Sequence, residues 1–354
     1  MVFVCHTESA RENFYLPNGL QNYFYTLIGK LGVILFFVLS GFLITFLLLE
    51  EKAATKNVDI KRFYYRRMLR IWPLYFLIVF FSFFVAPHAS FFYMPNFISA
   101  LNTDSVTGNF IAHLLIFPNL AISLFGVVPY AGHLWSVGVE EQFYVLWPWL
   151  IEKVKNKPLL FAGTFFFYIA AKIPLLLAAR LYMPAKIVLG FWYYFNIDCM
   201  AIGAMAAYLV LYKKQKILSV LYSKWIQIIT PIILIILISN GYQFKWLSYE
   251  AYGILFAIVI LNLGCNKNCI FSLENKVLNF LGKISYGIYM FHFIALTIAI
   301  RMLMYFNFPS GFAIYIVAAA LTLALSVLSY FFFEAYFLRK KDTYSVFKKS
   351  GNFT

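Results

Sequence analysis

HLWSVGVEEQFYVLWPWLI, residues 133–151, sets Glu140 and Glu141 side by side among tryptophans and aliphatics in a run long enough to enter a bilayer. A carboxylate at the centre of a membrane helix costs about 2.5–3.5 kcal/mol on insertion scales, so such a pair needs a polar cavity, a partner cation or a reaction. His133, Ser136, Glu140 and Tyr144 recur at intervals of three or four and line one side of a helix. Glu141 points about 100° away. Glu140 is therefore the candidate functional carboxylate, and Glu141 is free to pair with a basic residue elsewhere. A purely structural intramembrane ion pair is the competing reading.

The rest of the chain belongs to the same solvent. Of its 354 residues 63% are hydrophobic, 21% aromatic and only 12% charged, whereas a soluble domain is about 45–50% apolar. The fold class is all-α, a polytopic integral membrane bundle embedded in a lipid bilayer. Apolar runs fall at 31–49, 71–86, 134–151, 159–179, 187–212, 225–239, 247–263, 277–300 and 312–333, most of them near the roughly 20 residues a span requires. Only MVFVC precedes His6, so half a helix is expected to be missing and Met1 to be internal to a longer first span, giving about ten spans in all. The domain reading is one membrane domain over 1–338, its first helix incomplete, and a basic tail over 339–354.

The formal charge of +15 raises nucleic acid as a partner. Lysines and arginines instead collect in short clusters at 52–70, 153–157, 213–224, 267–283 and 339–349, between apolar runs, so orientation explains them and no nucleic acid is expected. Placing these clusters in the cytoplasm puts 87–132 outside and both ends of a full-length chain inside. The part at 110–128, interrupted by Pro118, must enter and leave on one side or lie flat. Cys265 and Cys269 lack a histidine to complete a zinc set, so no metal is expected.

Four further elements carry possible chemistry. His6 stands where the first span reaches the outer face, and histidine takes and returns protons near neutral pH. Ser40 and Gly41 break a wall of large side chains in GVILFFVLSGFLIT (32–45), which marks a close helix crossing or a lined cavity. In IKRFYYRRMLRIWPLY (60–75), Arg66, Arg67 and Arg70 share a helical face ahead of what reads as a proline-started membrane run. Three guanidiniums together suit a phosphate-bearing cofactor such as coenzyme A, or equally a lipid headgroup. Asp198 in YYFNIDCMAIGAMAAY (193–208) requires a partner or cavity, while Tyr286 and Tyr289 in LGKISYGIYMFH (281–292) bind a sugar or knit helices. Glu334 reads as an interfacial charge paired with 339–341.

Taken in order, these segments with HLWSVGVEEQFYVLWP and the terminal FFFEAYFLRK resemble the acyltransferase-3 family of membrane-embedded sugar O-acyltransferases. The resemblance runs collinearly over nearly the whole chain, in the form that lacks an appended secreted domain. It implies transfer of an acyl group, acetyl foremost, from acyl-CoA (acetyl-CoA) to a glycan hydroxyl at the bacterial cytoplasmic membrane. It also implies His6 as catalytic base, Glu140 as the second catalytic group, and Arg67 and Arg70, with Arg66 beside them, as donor-binding. The family places an arginine or lysine about one span before the histidine, and this chain has no residue there. Ser40, His133, Trp135, Ser136, Asp198 and Tyr286 are the substrate-binding candidates. A transporter or flippase of a lipid-linked sugar is the alternative, since Glu140 and Asp198 would also serve a substrate pathway. Arg67 and His6 lie near opposite faces of a layer about 30 Å thick, so the donor must thread inward or the acyl group must be relayed.

Overall fold

The computed structural model describes residues 1–99 and 105–344. Residues 345–354 of the basic tail and 100–104 of the 87–132 region lie outside the described residues. The described part is built of helices joined by short connections: α1 (Val2–Asn13), α2 (Asn22–Thr55), α3 (Ile60–Phe80), α4 (Val106–Leu114), α5 (Pro118–Phe125), α6 (Leu134–Lys153), α7 (Lys157–Leu181), α8 (Met183–Tyr194), α9 (Ile197–Leu211), α10 (Gln215–Leu221), α11 (Lys224–Ser239), α12 (Ser248–Cys265), α13 (Lys276–Tyr305), α14 (Gly311–Leu328) and α15 (Ala335–Asp342). Several starts are set by side chains that accept from the first free backbone N–H groups. Asp59, Asn156, Ser223, Asn275 and Ser310 cap α3, α7, α11, α13 and α14 in this way.

Among the described residues seven helical stretches are long and apolar enough to cross a membrane, or eight if α10 and α11, bent by 57°, form one span. The protein is a multi-pass membrane protein. Helix α6 falls outside that count because Glu140, Glu141 and Gln142 lower its hydropathy. Over half of its residues are buried against protein rather than lipid, so it does not need an apolar surface. Helix α1, with 12 residues, is too short to span by itself.

One expectation needs correction, and two gain detail. Pro73 does not start a helix: it lies inside α3, which begins at Ile60 and passes into one π-helical turn at Phe81–Val85. The run at 187–212 is one membrane-crossing stretch, Met183–Leu211, made of α8 and α9 with Phe195 and Asn196 between them. The stretch at 110–128 forms part of two short helices, α4 and α5, packed on each other, with α5 also against α6 and α8.

Glycine decides the central crossing. A Cβ on Gly41 would lie 2.0 Å from the Met200 carbonyl oxygen, and one on Gly203 would lie 2.0 Å from that of Val38. Helices α2 and α9 therefore pack backbone to backbone, as the Ser40–Gly41 pair suggests. Around this pair, α1 rests on α2 and α13, α6 on α2 and α3, and α13 on α3 and α14. Contacts define two ends of the bundle. Lys52 with Glu152 and Arg66 with Tyr344 mark one; Tyr23 with Gly241 and Arg301 with Tyr93 mark the other. They are called below the arginine end and the histidine end.

Candidate active site

Helix α1 carries His6 against α13, where His6 Nδ1 meets His292 Nε2 at 2.5 Å with the rings stacked 4.8 Å apart. His292 Nδ1 is 2.6 Å from the carbonyl oxygen of Tyr289, one helical turn earlier on the same helix. That carbonyl can only accept, so it fixes the proton of His292 on Nδ1 and leaves Nε2 as the acceptor facing His6. His133 completes the group, its ring 5.1 Å from that of His292 and 6.4 Å from that of His6. Both ring nitrogens of His133 are buried and lack a hydrogen-bond partner among the described residues. Phe293 closes one side, its ring edge on His6 at 5.5 Å.

The placement of His6 is enforced two residues further on. Buried Glu8 accepts from Arg11 at 2.8 Å, from the backbone N–H groups of Gly19 and Leu20 at 2.5 and 3.1 Å, and from the Tyr315 hydroxyl at 2.8 Å. A carboxylate so fully used is a rigid anchor. It ties α1 to the following loop and to α14, and so sets the height of His6.

Below the histidines lies a cavity of about 200 Å³ lined by Arg67, Arg70, Ser136, Glu140, Tyr144, Tyr286 and Tyr289 among others. Its floor is a chain of hydroxyls and a carboxylate: Ser40 Oγ bonds the Tyr144 hydroxyl, which donates to Glu140 Oε2 at 3.2 Å. The Arg67 guanidinium lies over the rings of Phe63 and Tyr144, 5.8 Å from each, and its Nε is buried with no hydrogen-bond partner among the described residues. No carboxylate among the described residues comes within ion-pairing distance of Arg67 or Arg70. A guanidinium with no direct ion pair and a free, buried N–H fits a group that brings negative charge. The wall between cavity and histidines is thin. Ser136 Oγ and the Tyr289 hydroxyl lie 2.6 Å apart and both line the cavity, while Tyr289 donates to the His133 carbonyl at 2.9 Å.

The separation that the sequence left open is therefore much smaller than the membrane. Arg70 stands ten residues into α3, about 15 Å of helical rise from its start, and Glu140 stands about 10 Å below His133. Both reach the same cavity.

Not every candidate arrives there. Arg66 turns away, pairing with Glu51 at 3.1 Å and donating to the Tyr344 carbonyl at 3.0 Å; it is a strut between α2, α3 and the chain after α15. Trp135, on the other face of α6, lies under the Lys30 ammonium at 4.2 Å and packs on Phe37 and Tyr194. Asp198 is buried beside Cys199, within electrostatic reach of Glu250 and Lys172. Neither lines the cavity. Glu141 forms no direct ion pair among the described residues: it accepts from the Trp72 indole N–H at 2.7 Å and lies within electrostatic reach of Arg67. Glu334 is not an interfacial charge: it is buried, accepting from Ser329 at 3.0 Å, within electrostatic reach of Arg70. Tyr286 lines the cavity while donating to the Ile71 carbonyl at 2.8 Å, so it binds α13 to α3.

The sequence places His292 three positions after Tyr289 in LGKISYGIYMFH but gives it no part in the site, because nothing local reveals a partner 286 positions away.

A family model described as "Acyltransferase domain" matches residues 1–331. The helical bundle and the histidine–arginine site thus sit within an acyl-group transferase domain. The chain belongs to the acyltransferase-3 family. It is 36% identical over 140 residues to a peptidoglycan O-acetyltransferase of Listeria monocytogenes, a match covering 37% of this chain and 22% of that protein. It is 26% identical over 280 residues to an O-acetyltransferase of Staphylococcus aureus, covering 75% and 45%. A protein of Bacillus subtilis described as a putative peptidoglycan O-acetyltransferase is 34% identical over 128 residues, covering 34% and 19%. The chain thus spans less than half the length of these curated relatives. No solved structure matches it.

Proposed function

We propose that this protein moves an acyl group, acetyl in the first instance, from acyl-CoA to a hydroxyl of a cell-surface glycan of peptidoglycan type. The single observation that carries the reading is the stacking of two sites through one thin wall. A histidine pair lies on one side of Ser136 and Tyr289, and an anion-seeking arginine cavity lies on the other. The names of the bacterial relatives support the acetyl group and the acceptor class. In this reading the arginine end faces the cytoplasm, where acyl-CoA is made, the histidine end faces outward, and the membrane is the bacterial cytoplasmic membrane.

The donor phosphates approach from the arginine end and are drawn by Arg67 and Arg70. A cavity of this size admits the thioester end of the donor and leaves its nucleotide outside. The acceptor hydroxyl reaches His6, whose imidazole takes the proton as the oxygen attacks the thioester carbon. The carbon–sulfur bond then breaks, and the departing sulfur takes the proton back from the imidazolium. His292 orients His6 through their contact, and the Glu140–Tyr144–Ser40 chain holds the polarity of the cavity that receives the thioester. On the outer side a second cavity of about 500 Å³, lined by Phe92, Tyr93, Phe97 and Tyr130 with serine hydroxyls, offers a sugar-sized approach. Tyr130 touches Phe293, and Phe293 touches His6.

The test is transfer of labelled acetyl from acetyl-CoA to peptidoglycan fragments by the purified chain in lipid nanodiscs, read by mass spectrometry. The expected product is the O-acetylated fragment, absent with His6→Ala. A His6→Ala protein that acetylates as well as the parent overturns the reading.

A further inference from the structure

Clustered cations at the histidine end are out of place. Lysine and arginine favour the cytoplasmic side of membrane proteins, and here most of them sit at the arginine end. Yet Lys30, Lys172, Arg180 and Lys245 gather at the other end around one cavity, separate from the catalytic one. It has a volume of about 370 Å³, and its walls include Lys172, Arg180, Lys245, Tyr193, Trp246 and Tyr249. Lys30 stands behind the wall, donating to the Tyr193 carbonyl at 3.1 Å with its ammonium 5.2 Å from the Tyr249 ring.

The charges beneath the cavity balance. Lys172 pairs with Glu250 at 3.7 Å and donates to the Trp246 carbonyl at 2.7 Å, which pins the loop that carries Lys245. Asp198 lies within electrostatic reach of Lys30 and Lys172. Two buried carboxylates thus answer two lysines, which leaves Arg180 and Lys245 in surplus. Both are exposed, and neither has an ion-pair partner among the described residues. The N-terminus of the 18-residue α12, starting at the lining residue Ser248, adds its positive end.

We propose that this cavity is a binding site for a phosphate ester flanked by a sugar or polyol. Arg180 and Lys245 take the phosphate, and Tyr193, Trp246 and Tyr249 offer ring faces and hydroxyl or indole edges to the polyol. Its volume is within the range of small-ligand sites, roughly 300–1,000 Å³. Such a ligand comes from two sources at an outer membrane face: a phosphate-substituted glycan or a phospholipid headgroup. The assignment of the glycan source as an acceptor rests on the proposed acyl transfer; the binding itself does not.

The experiment measures binding with no acyl donor present, so its result is independent of transfer activity. Purified protein in phosphatidylcholine nanodiscs is titrated with glucose 1-phosphate and with glucose, by calorimetry. Parallel samples contain phosphatidylglycerol, and lipid retained by the protein is read by native mass spectrometry. The parent protein is compared with Arg180→Gln/Lys245→Gln, exposed positions whose change leaves folding intact by size exclusion. Lys186→Gln, a nearby cation outside the lining, is the control. The expected result is binding of glucose 1-phosphate but not glucose, or selective retention of phosphatidylglycerol. Either is weakened about tenfold or more by the double substitution and less than about twofold by the control. Retention of phosphatidylglycerol that displaces glucose 1-phosphate, or that occurs without its binding, assigns the headgroup source; binding of glucose 1-phosphate that phosphatidylglycerol does not displace assigns the glycan source. Equal binding by parent and double variant, or no binding of either probe by the parent, overturns the site.

Discussion

The histidine cluster and the arginine cavity share a wall but follow opposite electrostatic plans. His6, His133 and His292 meet one another, Phe293 and Tyr289, with no acidic partner in ion-pairing range among the described residues. Arg67 and Arg70 face a hydroxyl-lined space that Glu140 also lines, with no carboxylate in direct ion-pair contact among the described residues and with Arg67 Nε left without a hydrogen-bond partner. The first region suits passing a proton and the second suits holding an anion. The difference explains why α6 is the pivot: His133 belongs to one region, Glu140 and Tyr144 to the other, and Ser136 sits at the boundary.

The largest expected effect tests the proton side. His6→Ala should lower transfer by about 10²–10⁴-fold, the usual reach of a general base, while acetyl-CoA binding stays near parental. Steady-state transfer and calorimetric donor binding check the two halves of that statement. Equal losses in both would mean that the two regions are one. His292→Ala should cost about a hundredfold or less, because it removes an orienting contact and not the base. Arg67→Gln/Arg70→Gln should raise the KM for acetyl-CoA by about ten- to a hundredfold, as loss of charge-assisted hydrogen bonds predicts, with a smaller change in kcat. A kcat collapse at unchanged KM would move the arginines from donor binding to the chemistry.

The half of this site on α6 is legible in the sequence because its logic is local. Spacing alone puts Ser136, Glu140 and Tyr144 on one face and sends Glu141 elsewhere, and the structure keeps that division. Ser40 and Gly41 announce a crossing, and the backbone of Met200 answers it. What spacing cannot carry is the partner across the bundle. His292, the Glu8 anchor and the Trp72–Glu141 bond each join segments that meet only after the helices pack. Arg66 shows the same limit from the other side: it has the right residue type and the right helix, yet Glu51 claims it. Glu334 was misplaced because a hydropathy run gives the length of a helix and not the depth of its last turn.

The smallest expected effect is also the sharpest test of the shared wall. Ser136→Ala removes the hydrogen bond to Tyr289 and a long 3.3 Å one to the His133 carbonyl, and Tyr289→Phe removes the shared bond together with its own to that carbonyl. A bond is worth about 0.5–1.5 kcal/mol, so the loss of the shared one should slow transfer roughly two- to tenfold, and each further bond lost adds to that. Information lies in the double variant. If the wall positions the thioester against His6, the two losses share one interaction, and the double variant should be less impaired than the product of the singles, with a coupling of about 0.5 kcal/mol or more. Strict multiplication of the two effects would show that Ser136 and Tyr289 act separately, one on the arginine cavity and one on the histidines, and the acyl group would then need another route between them.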